Sequence, residues 1–287
     1  MRLINKIQLA GLLAFNWSIV SASAAESKDM KVSNKEKVVQ LLKSIETGDA
    51  GPIAYINPNK YIQHNLAVGD GLAGFGEVMK ALPEGSAKAN TVRVFEDGDY
   101  VFAHTEYNFF GPKVGFDIFR FEDGLIVEHW DNLQAIVEKT ASGRSQIDGA
   151  TEITDLEKTE GNKELVKSLV QDVFIDGKME KAAEYISSEE YLQHNPLVAD
   201  GLEGLSQAMK AMAESGEAMV VEKLHFVLGE GNFALSVSEG QVQGKPTAYY
   251  DLFRIENGKI VEHWDAIEAI PDKSEWKNEN GKFGFPE

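Results

Sequence analysis

The stretch DIFRFEDGLIVEHWD, Asp117 to Asp131, returns near the end of the chain as DLFRIENGKIVEHWD, Asp251 to Asp265. A second stretch, Tyr61 to Ala81, recurs as Tyr191 to Ala211 with 12 of 21 positions identical. Two separated segments that repeat in the same order are the mark of a duplicated domain, so the 287 residues divide into two units of ordinary size. Each copy of the first stretch reads as a β-hairpin: an aromatic-rich run, an acidic residue or Asn followed by Gly, and a second run that opens on β-branched residues. A three-residue loop, Glu122 to Gly124, would put Gly124, and Gly258 in the second copy, at the left-handed position such a turn requires.

Pairing outward from that loop sets Phe121 opposite Leu125, Phe119 opposite Val127 and Asp117 opposite His129, with Asp131 on the same face because side chains alternate along a strand. The second copy gathers Asp251, His263 and Asp265 in the same way. The other face carries Phe116, Ile118, Arg120, Glu128 and Trp130, with Arg120 diagonal to Glu128. A two-residue turn would slip the register by one and set Asp117 opposite Trp130, although His129 and Asp131 share a face either way. The face bearing Tyr249, Leu252, Ile260 and Trp264 is expected to pack against the other half as an internal pseudo-dimer, or against a second chain as a homodimer.

The rest of each half has one plan. Asn34 to Thr47 places Val38, Leu41, Leu42 and Ile45 at helical spacing before Gly48, and Asn162 to Asp176 repeats the pattern before Gly177. Short helices are expected over Pro52 to Ile56 and Met179 to Ile186. Gln63-His64-Asn65 and Gln193-His194-Asn195 then precede Asp70-Gly71 and Asp200-Gly201, where the Asp reads as a helix N-cap. Strands follow at Thr91 to Phe95, Tyr100 to Asn108, Val220 to Leu228 and Asn232 to Glu239, each set ending in the hairpin. Helices first and an antiparallel meander after is an α+β order. The boundaries are a first domain over residues 30–140, a polar, glycine-bearing linker over 141–161 that would serve as spacer or packing arm, and a second domain over 162–287.

Arg2 and Lys6, an apolar run from Ile7 to Val20, and Ala22-Ser23-Ala24 have the layout of a secretory signal over residues 1–24, which predicts a periplasmic or secreted protein. The formal charge of −18 makes nucleic acid and anionic membranes poor partners. The absence of cysteine excludes disulfides, thiolate nucleophiles and zinc–thiolate sites.

The motifs QHN followed by DG, EDGDYV or GEGNFA, and D-[IL]-F-R…G-x-I-V-E-H-W-D, present twice and in order, resemble the SnoaL-like (polyketide cyclase-like) proteins of the nuclear transport factor two-like superfamily. The resemblance covers nearly all of both halves. It implies two tandem cone-shaped α+β barrel domains, each a curved antiparallel sheet wrapped against N-terminal helices around a pocket. Named members of that family are cyclases that close a ring by an intramolecular aldol reaction, and relatives include isomerases, dehydratases and non-catalytic binders. Their acid/base Asp on the final strand corresponds to Asp131 and Asp265, with His129 and His263 beside it.

The expected chemistry is cofactor-independent acid/base work on a small carbonyl compound, of the cyclisation, isomerisation or dehydration type. Burial raises a carboxylate's pKa toward the working pH and a neighbouring His can orient it or share its proton. Catalytic candidates are Asp131, Asp265, His129 and His263; His64, Asn65, Asp117, His194, Asn195 and Asp251 are candidates for substrate contact, although a His and an Asn at a loop entry also suit turn chemistry alone. No cofactor and no metal is required, and the one metal set worth weighing is His64, Asp117 and His129. Two other readings remain: a satisfied polar network of Asp117, Arg120, Glu128 and Asp131, and a non-catalytic binding protein for a small apolar metabolite.

Overall fold

A computed structural model of the chain describes residues 32–82, 85, 87–216 and 218–285. The expected leader over residues 1–24 lies outside the described residues. The first half runs α1 (Asn34–Thr47), a 3-10 turn (Gly51–Tyr55), β1 (Ile62–Gln63), α2 (Gly71–Ala81) and the strands β2 (Lys88–Asp97), β3 (Tyr100–Asn108), β4 (Pro112–Glu122) and β5 (Leu125–Ala135). The second half repeats this with α3 (Thr159–Leu169) continued by a π-helical turn (Val170–Ile175), α4 (Ala182–Tyr185), β6 (Leu192–Gln193), α5 (Gly201–Ser215), β7 (Met219–Glu230), β8 (Phe233–Val242), β9 (Lys245–Glu256) and β10 (Lys259–Ala269). The two sheets have matching orders, β1-β5-β4-β3-β2 and β6-β10-β9-β8-β7, with the short first strand parallel to the last and the rest antiparallel. Each half is the expected α+β unit, a curved sheet wrapped against helices, with β1/β2 and β6/β7 as the sheet ends among the described residues; bulges in β2, β5, β7 and β10 supply bends.

Local chemistry sets the helix ends. Ser33 and Glu36 form a reciprocal capping box at the start of α1, and Gly48 closes it at φ 69°. Asp70 and Asp200 stand at the N-cap positions of α2 and α5 but cap neither helix with their side chains. Each carboxylate accepts instead from the backbone N–H of Gln63 (2.9 Å) or Gln193 (2.8 Å), closing the QHN loop on itself.

The hairpin register differs from the expected one. Asp123 and Gly124 (φ 50° and 77°) and Asn257 and Gly258 (φ 51° and 73°) make two-residue turns with both central residues left-handed. That turn pairs Glu122 with Leu125 and Phe121 with Ile126. A bulge at Val127 then adds one residue, so that Arg120 pairs with Glu128, Phe119 with His129 and Asp117 with Asp131. Val261 does the same in the second half, setting Asp251 opposite Asp265. The turn alone would have split the cluster across the sheet; the bulge restores its parity.

Three cores follow from the alternation. The concave face of the first sheet, with Val101, Ala103, Phe119 and Phe121, buries Val38, Leu41 and Leu42 of α1. The second sheet does likewise with Val166, Leu169 and Val170. The convex faces meet each other: Phe102, Phe116, Ile118 and Trp130 share one core with Leu235, Tyr250, Leu252 and Trp264. Asn132, fully buried there, donates to Ala248 O (2.9 Å) and Ala266 O (2.8 Å) of the other half. Of the four residues expected on this face, Leu252 and Trp264 are in it, whereas Tyr249 faces the concave side two positions from Asp251 and Ile260 belongs to the second half's own core.

The linker and the tail are packing arms that exchange halves. After the first half, Ala141 N donates to Pro196 O (2.9 Å) and Ser142 Oγ to Gln193 O (2.7 Å) of the second. After the second half, Lys277 N donates to Leu66 O (2.9 Å) and Asn280 Nδ2 to Gln63 O (3.0 Å) of the first. Among the described residues, no helix is long and apolar enough to cross a membrane.

Candidate functional site

Each concave face leaves a cavity beside its hairpin. The first, of about 340 Å³, is lined by Asp117, His129 and Asp131 among Phe75, Phe109 and Phe119. The second, of about 200 Å³, is lined by Asp251, His263 and Asp265 with Met209, Met212 and Met219. The acidic and imidazole groups come from two adjacent strands and sit at 3–8% exposure in the first half.

The QHN segments orient these groups through Gln and Asn. Gln63 Oε1 accepts from Asn65 N (2.8 Å) and lies 3.0 Å from His129 Nδ1. A backbone N–H can only donate, so that atom is the amide oxygen and His129 Nδ1 must bring the hydrogen. His129 Nε2 then faces Asp117 Oδ1 at 3.2 Å. With Nδ1–H given to Gln63, this contact is a hydrogen bond when a proton lies between Nε2 and Oδ1. The second half repeats the logic: Gln193 Oε1 accepts from Asn195 N (3.0 Å), meets His263 Nδ1 at 2.8 Å, and leaves His263 Nε2 at 3.1 Å from Asp251 Oδ1.

Asn65 and Asn195 hold the remaining carboxylates. Asn65 Oδ1 is committed to Ala67 N (2.9 Å), which points Nδ2 at Asp131 Oδ2 (2.7 Å). Asn195, fixed by Leu197 N, donates to Asp265 Oδ2. The other oxygens, Asp131 Oδ1 and Asp265 Oδ1, are buried and accept no hydrogen bond from any described residue. Burial pushes the Asp265 carboxyl up to about 6, with its neighbour Asp251 pushing the same way and His263 opposing. Burial also raises Asp117, against the lowering effects of His129 and of Tyr107, whose hydroxyl donates to Asp117 Oδ2 at 2.9 Å.

His64 and His194 line neither cavity. In a strand, neighbours point to opposite faces, so Gln63 and Asn65 turn inward while His64 turns out. His64 stacks on Trp130 at 4.7 Å and bonds Glu128 Oε1 (2.9 Å) through Nε2, and Glu128 in turn takes Arg120. His194 stacks on Trp264 and bonds Glu262 (2.9 Å), which takes Arg254. The Arg120–Glu128 pairing is therefore part of a network on the convex side, and the metal set of His64, Asp117 and His129 is split across the sheet. The ligand atoms of Asp117, His129 and Asp131, and of Asp251, His263 and Asp265, do lie within 4.8 Å of one another. Such a donor set suits several divalent ions, and a proton shared by imidazole and carboxylate would satisfy the same contact. Tyr107 was not singled out from the sequence: the second half has Gly240 at the matching strand position, so the repeat itself gave no signal.

No protein-family model and no curated protein matches the sequence. Among solved structures, the chain is similar to an NTF2-like protein of unknown function from Cytophaga hutchinsonii, at 14% identity over 37% of this chain and 94% of that one, with a TM-score of 0.32. It is similar to TsrD from Streptomyces laurentii at 23% identity, over 37% and 90% of the two chains, with a TM-score of 0.31. It is also similar to IdmH, a candidate polyketide cyclase from Streptomyces antibioticus, at 18% identity over 37% and 91%, with a TM-score of 0.31.

Proposed function

We propose that the chain is an exported, cofactor-independent acid/base catalyst acting on a small carbonyl compound, by aldol-type cyclisation, isomerisation or dehydration. The observation that supports this best is a carboxyl oxygen, Asp265 Oδ1, buried without a hydrogen-bond donor among the described residues, in a cavity that also holds the His263–Asp251 contact. Asp265 takes the proton from the carbon next to the carbonyl. The His263–Asp251 pair donates to the oxygen on which negative charge develops, and Asn195 keeps Asp265 in place. Asp131, His129, Asp117 and Asn65 have the same roles in the first half, within domains bounded near residues 30–140 and 162–287.

A second reading, a non-catalytic binder for a small apolar metabolite, draws support from the apolar lining supplied by Phe75, Phe109 and Phe119. Asp131→Asn together with Asp265→Asn separates the two. The catalytic reading expects turnover of carbonyl compounds to be lost with the fold retained, and full turnover in the double variant would overturn it. The binding reading expects apolar ligand affinity to stay within about tenfold, which is about 1.4 kcal/mol, with no turnover in either protein. Export rests on the sequence of residues 1–24, and N-terminal sequencing of protein from its native host tests it: Met1 intact on cytosolic protein contradicts it.

A further inference from the structure

The exchanged arms make the same contacts, with one residue more in the linker than in the tail. Gly281 O meets His64 Nδ1 at 2.7 Å, and Ser145 O meets His194 Nδ1 at 2.6 Å. The Phe283 carbonyl accepts from Trp130 Nε1 and the Asp148 carbonyl from Trp264 Nε1. A Cβ on Gly284 would meet His64, and one on Gly149 would meet His194, so the same tight approach recurs. One position breaks the correspondence in charge. Between Gly281 and Phe283 stands Lys282, and between Ser145 and Asp148 stand Gln146 and Ile147; Lys282 and Gln146 are buried, at 6% and 1% exposure.

Lys282 comes from the second half's tail but serves the first half's acid. Its ammonium stands 3.9 Å from Asp131 Oδ1, the oxygen that accepts no hydrogen bond, and it is ion-paired with Glu268 of β10. Glu268 lies three residues after Asp265, where the first half has Gln134 three residues after Asp131. The first half's acid is therefore attended by a buried Lys282 paired with a half-buried Glu268, and the other arm and strand offer two amides there, Gln146 and Gln134. Gln146 Oε1 accepts from Val137 N (2.9 Å) and Gln134 Oε1 from Ile267 N (3.0 Å), so both amides are in use as neutral structural groups.

We infer that Lys282 is a positioning residue, supplied across the halves, that decides which carboxyl of the opposed pair Asp117/Asp131 keeps the proton: Asp117 where the lysine is present, and the Asp265 position where it is not. Among the described residues, those facing Asp131 are Asp117 on β4, His129 on β5, Glu268 on β10, the phenols of Tyr61, Tyr107 and Tyr250, and one ammonium, Lys282. Those facing Asp265 are Asp251, His263, His194 and Tyr191. An opposite charge within about 4–6 Å favours the ionised carboxylate, so Lys282 keeps Asp131 as carboxylate and leaves the proton to its neighbour across the strands. Glu268 offsets part of this effect, and the Tyr107 hydroxyl works against a proton on Asp117. Burial of Asp117 acts in the direction the inference needs, as does the rise of Asp265 in the half without a lysine. In chemical terms, which rest on the acid/base reading above, the first cavity has its final-strand Asp as a ready base below about pH 6, where the second still holds a proton on its own.

The test is a carboxyl-carbon NMR titration of the full chain labelled at Asp, from pH 3 to 9, with resonances assigned by single Asp→Asn variants. In the unaltered protein the late-titrating carboxyls should be Asp117 and Asp265. In Lys282→Gln/Glu268→Gln, which gives the first half the amides of the second, the late titration should pass from Asp117 to Asp131 by about one pH unit or more, while Asp265 stays where it was. Lys282→Arg, which keeps the charge, should preserve the unaltered pattern. An unaltered protein in which Asp131 titrates late, as Asp265 does, overturns the inference even if the double variant fails to fold; so does a folded double variant in which the proton stays on Asp117. The readout needs no substrate, so loss of the catalytic reading would leave it standing, and its own failure would leave the catalytic reading standing.

Discussion

The first and second halves hold the same Asp–His–Asp cluster by the same means, a two-residue turn, a bulge at Val127 or Val261, and a Gln and an Asn from the QHN segment, yet they surround it differently. In the first half Tyr107 lies across Gly115, where a Cβ would come within 2.4 Å of its ring, and its hydroxyl reaches Asp117. In the second half the aromatic ring has moved one strand over: Gly240 replaces Tyr107, Tyr249 replaces Gly115, and the hydroxyl is spent on Gln241 O at 2.8 Å. Among the described residues, no phenol donates to Asp251. The groups that must be placed to a fraction of an ångström are fixed by local backbone geometry that the duplication preserved. Those that tune the cavity come from neighbours, which were free to diverge.

The sharpest way to break the comparison is to disable one half at a time. Asp131→Asn and Asp265→Asn should each cost the affected cavity about 10²- to 10⁴-fold in turnover, measured at the pH of highest rate. Equal loss of all activity from either single variant would mean that the two cavities do not work separately. Next in size is the shared core. Trp264 is fully buried between His194 and the Arg93 guanidinium, and Trp264→Ala should destabilise by about 3–5 kcal/mol in chemical denaturation. Because the convex faces form one core, the unaltered protein should unfold in a single transition; two transitions, with Trp264→Ala moving only one of them, would show halves that stand alone.

Smaller is the effect of pH on stability. Asp265 is pushed up to about 6, above the roughly 4 expected in an unfolded chain, so the folded state binds this proton more tightly. Stability from this group is fully present below about pH 4 and is lost as pH rises through 6. Asp265→Asn, which keeps the Asn195 contact without the charge, should therefore be more stable than the unaltered protein at pH 8, by on the order of 2–3 kcal/mol. Near pH 4 the two should be alike, and a variant no more stable at pH 8 counts against a buried, strained acid. Smallest is Tyr107→Phe, which removes the donor on Asp117. It should cost about 1 kcal/mol and delay ionisation of Asp117, leaving second-half resonances unmoved; a shift of Asp265 as well would link the cavities directly.

Much of this was legible in the sequence because it depends on short-range pattern. The repeat placed the hairpins, the helical spacing of Val38, Leu41 and Leu42 placed α1 at its observed bounds, and His129 and Asp131 share a face under any register. The bulges were not legible, since nothing in Ile126-Val127-Glu128 marks one residue as extra. His64 and His194 were: alternation within Gln-His-Asn puts the His opposite its neighbours, and applying it would have sent both to the convex side. Lys282 could not be read at all, because its place beside Asp131 depends on a tail that crosses to the other half 151 residues away in sequence. Its charged character stands out only once the arms are aligned through their contacts with His64 and His194.

The most direct test of the central claim is α-proton exchange. Small carbonyl compounds with an acidic neighbouring C–H are incubated in deuterated buffer with the unaltered protein, Asp131→Asn, Asp265→Asn and the double variant, and exchange is followed by proton NMR from pH 5 to 9. The account predicts catalysed exchange by the unaltered protein, its loss in the double variant, and displaced pH profiles for the single variants, the one that retains Asp265 needing the higher pH. Exchange that persists in the double variant, or an unaltered protein that binds these compounds and exchanges none of them, would contradict it.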